Sequence, residues 1–327
     1  MSTLRGFVVI DRLRREYIRR STRPIVVGPW RSEVGFEVLY HLPYLGWLLK
    51  GIAQKRVYVI TRGGAGIWYP VNQAKVLDLY KIRPLEEVRR QTNLDIVRHQ
   101  MMKHTRISAW DRDVIKQACG IWGIEHPILV HPSETYRRFG DWFASKATAV
   151  DTLSRMHFAP IKKPEHPPEG LPKKYYVSHF YSRATLKASP EVRRFISDTL
   201  VGLSERAPVI QLLSPHHVDD HIDIPIKHDK VLVATKDGQH PSPAETLSHN
   251  SALIAGSAGF VGTYGGMAQV ALRYGIPSLS FYETLEGTSP QHLVLSQMIG
   301  YSTNTPFYAV KMSDIGLFSH VWKGLSS

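Results

Sequence analysis

The run Gly262-Thr263-Tyr264-Gly265-Gly266-Met267 sets paired glycines between a β-branched stretch and an apolar helical pattern. Such a turn leaves unblocked N–H groups at the start of a helix, where the helix dipole helps them hold a phosphate or diphosphate. Close packing of a strand-to-helix turn demands the same glycines. The turn carries neither the Gly-x4-Gly-Lys-Ser/Thr of a P-loop nor the Rossmann glycine spacing, so NTPase and simple dehydrogenase readings lose support. Two acids, Glu33 and Glu37, stand four apart and share a face of any helix that begins there. A carboxylate in a cleft can take up a proton, and in a first helical turn it can equally cap free N–H groups. His131, at the end of an apolar strand, is an alternative base or a structural histidine. In His216-His217-Val218-Asp219-Asp220-His221, His217 and His221 have the i,i+4 spacing of a metal pair. They follow a strand and Pro215 and lack a metalloprotease glutamate, so loop hydrogen bonding is preferred and no metal is expected. Asp111-Arg112-Asp113 falls at a helix start, where capping explains it.

Other elements must position these residues. Pro24-Ile25-Val26-Val27 reads as a strand running into Gly28-Pro29-Trp30. Phe36, Val38, Leu39, Leu42, Leu45, Leu48 and Leu49 then recur near helical spacing, with Pro43 kinking or dividing the helix. A second strand runs from Arg56 to Thr61, and strand-helix-strand is a parallel α/β unit. Helices are expected over 84–91 and 110–122, and a strand over 127–130. Between Pro160 and Pro172 five prolines stand among lysines, the composition of a linker. Beyond it the spacing predicts strands over 174–178, 208–213 and 277–282 and a helix over 190–204. A helix, short strand, glycine turn and second helix fill 251–273. Domains are expected over 1–160 and 174–327, joined by a linker over 161–173.

The chain's 327 residues are comfortable for two domains of roughly 150 residues each. With 43% hydrophobic and 21% charged residues it is globular, which excludes disordered and fibrous classes. A net charge of +13 favours polyanions, anionic membranes or phosphorylated small molecules. Arg12, Arg14, Arg15, Arg19, Arg20 and Arg23 crowd one segment, either a contact for lipid headgroups or nucleic acid or a solvated arm. No nucleic-acid motif accompanies them, so nucleic acid is not an expected partner. A single cysteine, Cys119, excludes an intramolecular disulfide, and no leader pattern opens the chain. The apolar run from Val38 to Ile52 is broken by His41, Pro43 and Lys50 and falls short of the roughly 20 residues of a membrane span. A cytoplasmic location is expected, with peripheral contact at the inner membrane face as one use of the arginines.

The run from Asn250 to Gly266, continuing through Ala271-Leu272-Arg273-Tyr274-Gly275-Ile276-Pro277-Ser278, resembles the donor-binding half of GT-B glycosyltransferases. In that family a helix precedes a strand ending in a Gly-Gly or Ser-Gly turn, and the next helix leads to Gly-x-Pro. The loop from Gly28 to Glu37 is similar in position to the family's acceptor-side loop. The resemblance implies an α/β fold of two Rossmann-like domains facing a cleft. It implies a nucleotide-sugar donor as co-substrate, no further cofactor, and a glycan, lipid-linked or small-molecule acceptor. It also implies that the backbone of Thr263, Tyr264, Gly265 and Gly266 faces the donor diphosphate and that Glu283 meets the ribose hydroxyls. Arg183 would neutralise the diphosphate, with Ser214 on the same rim; an exposed loop acid and an unpaired surface arginine are the plain alternatives for Glu283 and Arg183. Glu37 or Glu33, with His131 as the alternative, would be the general base of an inverting, metal-independent displacement. The Glu-x7-Glu of many retaining members is absent, since Gln291 stands eight residues after Glu283. A nucleotide-sugar epimerase or hydrolase of the same fold, and a non-catalytic basic protein binding nucleic acid or membrane, are the competing readings.

Overall fold

The computed structural model describes residues 2–98, 104–164, 168–213, 216, 221–235, 238–286 and 289–316, and their side chains except those of 2–8 and 96. The chain divides into two compact units, Met1–Ile161 with Pro243–Ser248, and Lys162–Ser242 with His249–Ser327. Pro243–Ser248 joins the first unit where the Leu247 and Ser248 N–H groups both donate to the Gly63 carbonyl, at 2.7 and 3.3 Å.

The first unit runs α1 (Ser2–Arg20), β1 (Ile25–Val27), α2 (Val34–Phe36), α3 (Leu42–Leu48), β2 (Val57–Thr61), β3 (Val76–Asp78) and α4 (Leu79–Ile82). It continues with α5 (Leu85–Arg98), α6 (Ala109–Trp122), β4 (Ile128–Val130), α7 (Pro132–Phe143) and α8 (Ala149–Leu153). Its four strands are all parallel, in the order β3-β2-β1-β4. The apolar helical pattern beginning at Phe36 forms a helix interrupted by a π turn, Glu37–His41, between α2 and α3. Pro43 then falls just after the π turn, so the donor that proline lacks coincides with the break in the helix's hydrogen-bonding pattern.

The arginine-rich segment is a helix anchored to the unit. Ile18 is fully buried. Asp11, also buried, forms ion pairs with Arg138 and, at 3.4 Å, with Arg155. Arg14 Nη2 donates to the Leu129 carbonyl at 2.6 Å and to Glu134 at 3.0 Å. Part of the basic cluster is therefore answered inside the chain.

The second unit contains β5 (Tyr176–His179), β6 (Tyr181–Ser182), α9 (Pro190–Ser204), β7 (Val209–Gln211), β8 (Ile222–Asp223), β9 (Val231–Val233) and α10 (Thr246–Gly256). It ends with β10 (Gly259–Thr263), α11 (Gly266–Arg273), β11 (Ser278–Tyr282), α12 (Pro290–Ser302) and β12 (Phe307–Lys311). Six parallel strands follow the order β12-β11-β10-β5-β7-β9. Counted along the chain this is 6-5-4-1-2-3, the Rossmann order, while β6 and β8 form a separate antiparallel ribbon. Val192, Ile196, Leu200 and Leu203 of α9, at i, i+4, i+8 and i+11, are buried with Val209, Val231, Val261 and Phe281 of the sheet. Full burial contributes about 1.5–3 kcal/mol for each such side chain. Both units are thus Rossmann-like α/β layers. Among the described residues no helix is long and apolar enough to cross a membrane.

Candidate functional site

In a parallel sheet of this type the ligand crevice lies beyond the C-terminal strand ends, where the strand order reverses. That point falls between β1 and β4 in the first unit and between β5 and β10 in the second.

In the first crevice Gly28 turns the chain with φ +112°, and a Cβ there would stand 2.2 Å from the Ile60 carbonyl oxygen, so glycine is required. The turn delivers Arg31, whose buried guanidinium pairs with Asp95 and, through Nε at 3.3 Å, with Asp111. Asp111 also completes a capping box with Ser108 at the start of α6. Burial works against ionisation of Asp111, but the His131 ring and the Arg31 charge hold its carboxyl below the usual range. His131 caps α7: its Nδ1 accepts the Ser133 N–H at 3.1 Å, which leaves the ring proton on Nε2, 3.6 Å from Asp111 Oδ2.

Glu37 lies in the π turn and is fully buried. Its Oε1 accepts from Thr61 Oγ1 at 3.0 Å and from the Tyr69 hydroxyl at 2.6 Å, and Oε2 lies 3.8 Å from Arg62 Nη1. Burial pushes this carboxyl up to about 7, against the pull of Arg62. Glu33, before α2, is half-buried and accepts a hydrogen bond from Ser32 Oγ. Of the three candidate bases, Glu33 alone retains substantial solvent access.

Several buried residues here escaped the sequence reading. Trp30 stacks on His41 with ring centroids 4.7 Å apart and lies 5.3 Å from His104. His41 Nδ1 is 2.7 Å from Thr135 Oγ1, and burial lowers its pKa to about 3. Arg62 directly follows β2 and donates to the Ser32 carbonyl. The available signal was a cation just beyond a β-branched strand.

In the second crevice Thr263 Oγ1 accepts the Tyr181 N–H and donates to the Tyr181 carbonyl, both at 3.0 Å. The Tyr264 N–H donates to the Phe281 carbonyl at 2.9 Å and so belongs to the sheet. Gly265 and Gly266 open α11, with no side chain capping its first turn. A Cβ on Gly265 would meet the Tyr181 hydroxyl at 2.0 Å. Arg183 is half-buried in the turn after β6, and among the described residues its guanidinium has no hydrogen bond or ion pair. Glu283 ties this turn to the end of β11: its N–H donates to Thr185 and its Oε2 accepts the Lys187 N–H, both at 2.8 Å. Arg183, Thr263, Gly265, Gly266 and Glu283 thus meet at neighbouring strand ends. Ser214 and His217 lie outside the described residues. His179 at the end of β5, His221 just before β8 and Asp223 within it each bring one ligand atom within 4.8 Å of the others.

No family model and no curated protein matches the chain. Among solved structures it is similar to the E. coli ADP-heptose LPS heptosyltransferase II, at 12% identity over 89% of this chain and 90% of that one, TM-score 0.44. E. coli heptosyltransferase WaaC with ADP matches at 14% identity over 83% of this chain and 92% of that one, TM-score 0.43. A glycosyl transferase family 9 structure from Veillonella parvula matches at 12% identity over 93% of this chain and 90% of that one, TM-score 0.39.

Proposed function

We propose that the chain is a glycosyltransferase that binds a nucleotide-sugar donor in the second unit and a glycan, lipid-linked or small-molecule acceptor in the first. The observation that carries this reading is that the Gly265-Gly266 start of α11 lies at the strand-order reversal of the second unit, beside the turn that bears Arg183, which Glu283 ties to the end of β11. Helix-opening N–H groups and an arginine whose guanidinium has no partner among the described residues suit a diphosphate leaving group. In the reaction the acceptor oxygen bonds to the anomeric carbon as the bond to the diphosphate oxygen breaks, with inversion. The acceptor proton passes to a carboxylate; Glu33 has the access this needs, and Glu37 and Arg62 position the loop that carries it.

The nucleotide diphosphates ADP, UDP and GDP are the probes. At least one raises the melting temperature, Gly266→Asp abolishes the shift, and Arg183→Ala weakens binding about 10–100-fold, or about 1.4–2.7 kcal/mol. Glu33→Gln retains binding and lowers turnover. A chain that responds to none of these nucleotides is not a transferase of this kind.

Peripheral contact with an anionic membrane belongs to the same reading. Val9, Ile10, Leu13 and Tyr17 form an exposed stripe on α1, flanked by exposed Arg12 and Arg19, the pattern of an interfacial helix. Leu13→Glu should release the chain from phosphatidylglycerol vesicles in co-sedimentation without moving the nucleotide response; equal retention of both proteins counts against the contact.

A further inference from the structure

The histidine-rich segment His216–His221 is not used by the proposed transfer, yet His221 has two notable neighbours. His179 is the last residue of β5, and its Nε2 stands 3.2 Å from Asp223 Oδ1. Asp223 is brought there by the antiparallel pairing of Tyr181 with Asp223 in the β6–β8 ribbon. The His221 ring lies 5.9 Å from that of His179, nearly perpendicular at 74°, and 4.4 Å from the Tyr181 ring. One ligand atom from each of His179, His221 and Asp223 lies within 4.8 Å of the others. His179 is 7% exposed and its Nδ1 is buried without a hydrogen-bond partner among the described residues, whereas His221 and Asp223 are half-buried and leave a route for entry.

We propose that His179, His221 and Asp223 form a binding site for one divalent transition-metal cation. Two imidazoles and a carboxylate suit zinc, cobalt or iron(II) better than calcium or magnesium, which take oxygen ligands. Bonds of about 2.1 Å in tetrahedral geometry separate ligand atoms by about 3.4 Å. The His179–Asp223 pair already has that spacing, and a rotation of the His221 ring closes the remainder. Three protein ligands leave a coordination position for water or an anionic oxygen. The cation would fasten β8 to the end of β5, beside the strand-order reversal. The site stands apart from the transferase reading, because its test needs only the metal.

Calorimetric titration of the chelator-treated full chain with zinc chloride should give one cation per chain, and cobalt should give the visible absorption of a nitrogen-ligated site. His221→Ala and Asp223→Asn, both at half-buried positions, should each weaken zinc binding at least 10-fold, and the His216→Ala/His217→Ala double variant should bind as the parent does. Circular dichroism checks that each variant is folded. The proposal is overturned by the absence of stoichiometric binding, by full affinity in the His221 or Asp223 variant, or by loss of binding in the double variant.

Discussion

The two crevices share a topology and differ in what they leave open. In the first, the cations at the strand ends are answered internally: Arg31 by Asp95 and Asp111, and Arg62 by Glu37 and the Ser32 carbonyl. In the second, Arg183 has no side-chain partner among the described residues, and Gly265 and Gly266 start a helix whose first N–H groups have no intrahelical acceptor. A charge network sealed from water holds its geometry firmly, and the charges within it are already engaged with one another rather than offered to an anion. An arginine and a helix start left open can exchange water for an anion. The same strand-end position is thus closed by internal pairing in one unit and left open in the other.

The largest effect that would sharpen this contrast is expected at Arg31. Arg31→Met leaves two buried carboxylates facing each other without their cation, and urea denaturation should register a loss of about 3–5 kcal/mol. A loss below about 1 kcal/mol would mean that the first crevice is not the rigid one. Next comes the pH dependence carried by Glu37. Its folded-state carboxyl holds a proton up to about 7, whereas the unfolded chain releases it near 4.5. Stability of the parent therefore falls as pH rises through that window, by up to about 3 kcal/mol. Glu37→Gln does not titrate, so the parent-minus-variant difference should follow this curve; a flat difference breaks the claim that the carboxylate is sealed. The smallest effect tests the second crevice. Gly265→Ala should cost about 1 kcal/mol or less, through contact with the Tyr181 hydroxyl. Adding Tyr181→Phe should restore stability but not nucleotide binding; recovery of both would make Gly265 a packing residue only.

Much of the fold was legible because its signals are local. The helix predicted over 190–204 has those bounds in α9, and the strand, glycine turn and helix around Gly265 appear as β10 and α11. The short edge strands β3, β9 and β12 were not read. β3 and β9 span three residues each, and all three pair with one neighbour only, too little pattern for a period of two to stand out. The N-terminal arginines concealed a helix because the residues that anchor it lie far along the chain, as with Asp11 and Arg155, 144 residues apart.

The site divides in the same way. Residue order alone determined the alternation of strands and helices, the glycine turn at the start of α11 and the loop from Gly28 to Glu37, since turn chemistry and periodicity are properties of neighbouring residues. Only the tertiary structure decided which polar groups are sealed. Arg31 meets Asp95 and Asp111 across 64 and 80 residues, and Glu37 reaches Thr61 across 24. Burial and pairing arise from chain segments meeting in space, and desolvation then sets whether a carboxylate such as Glu37 stays charged.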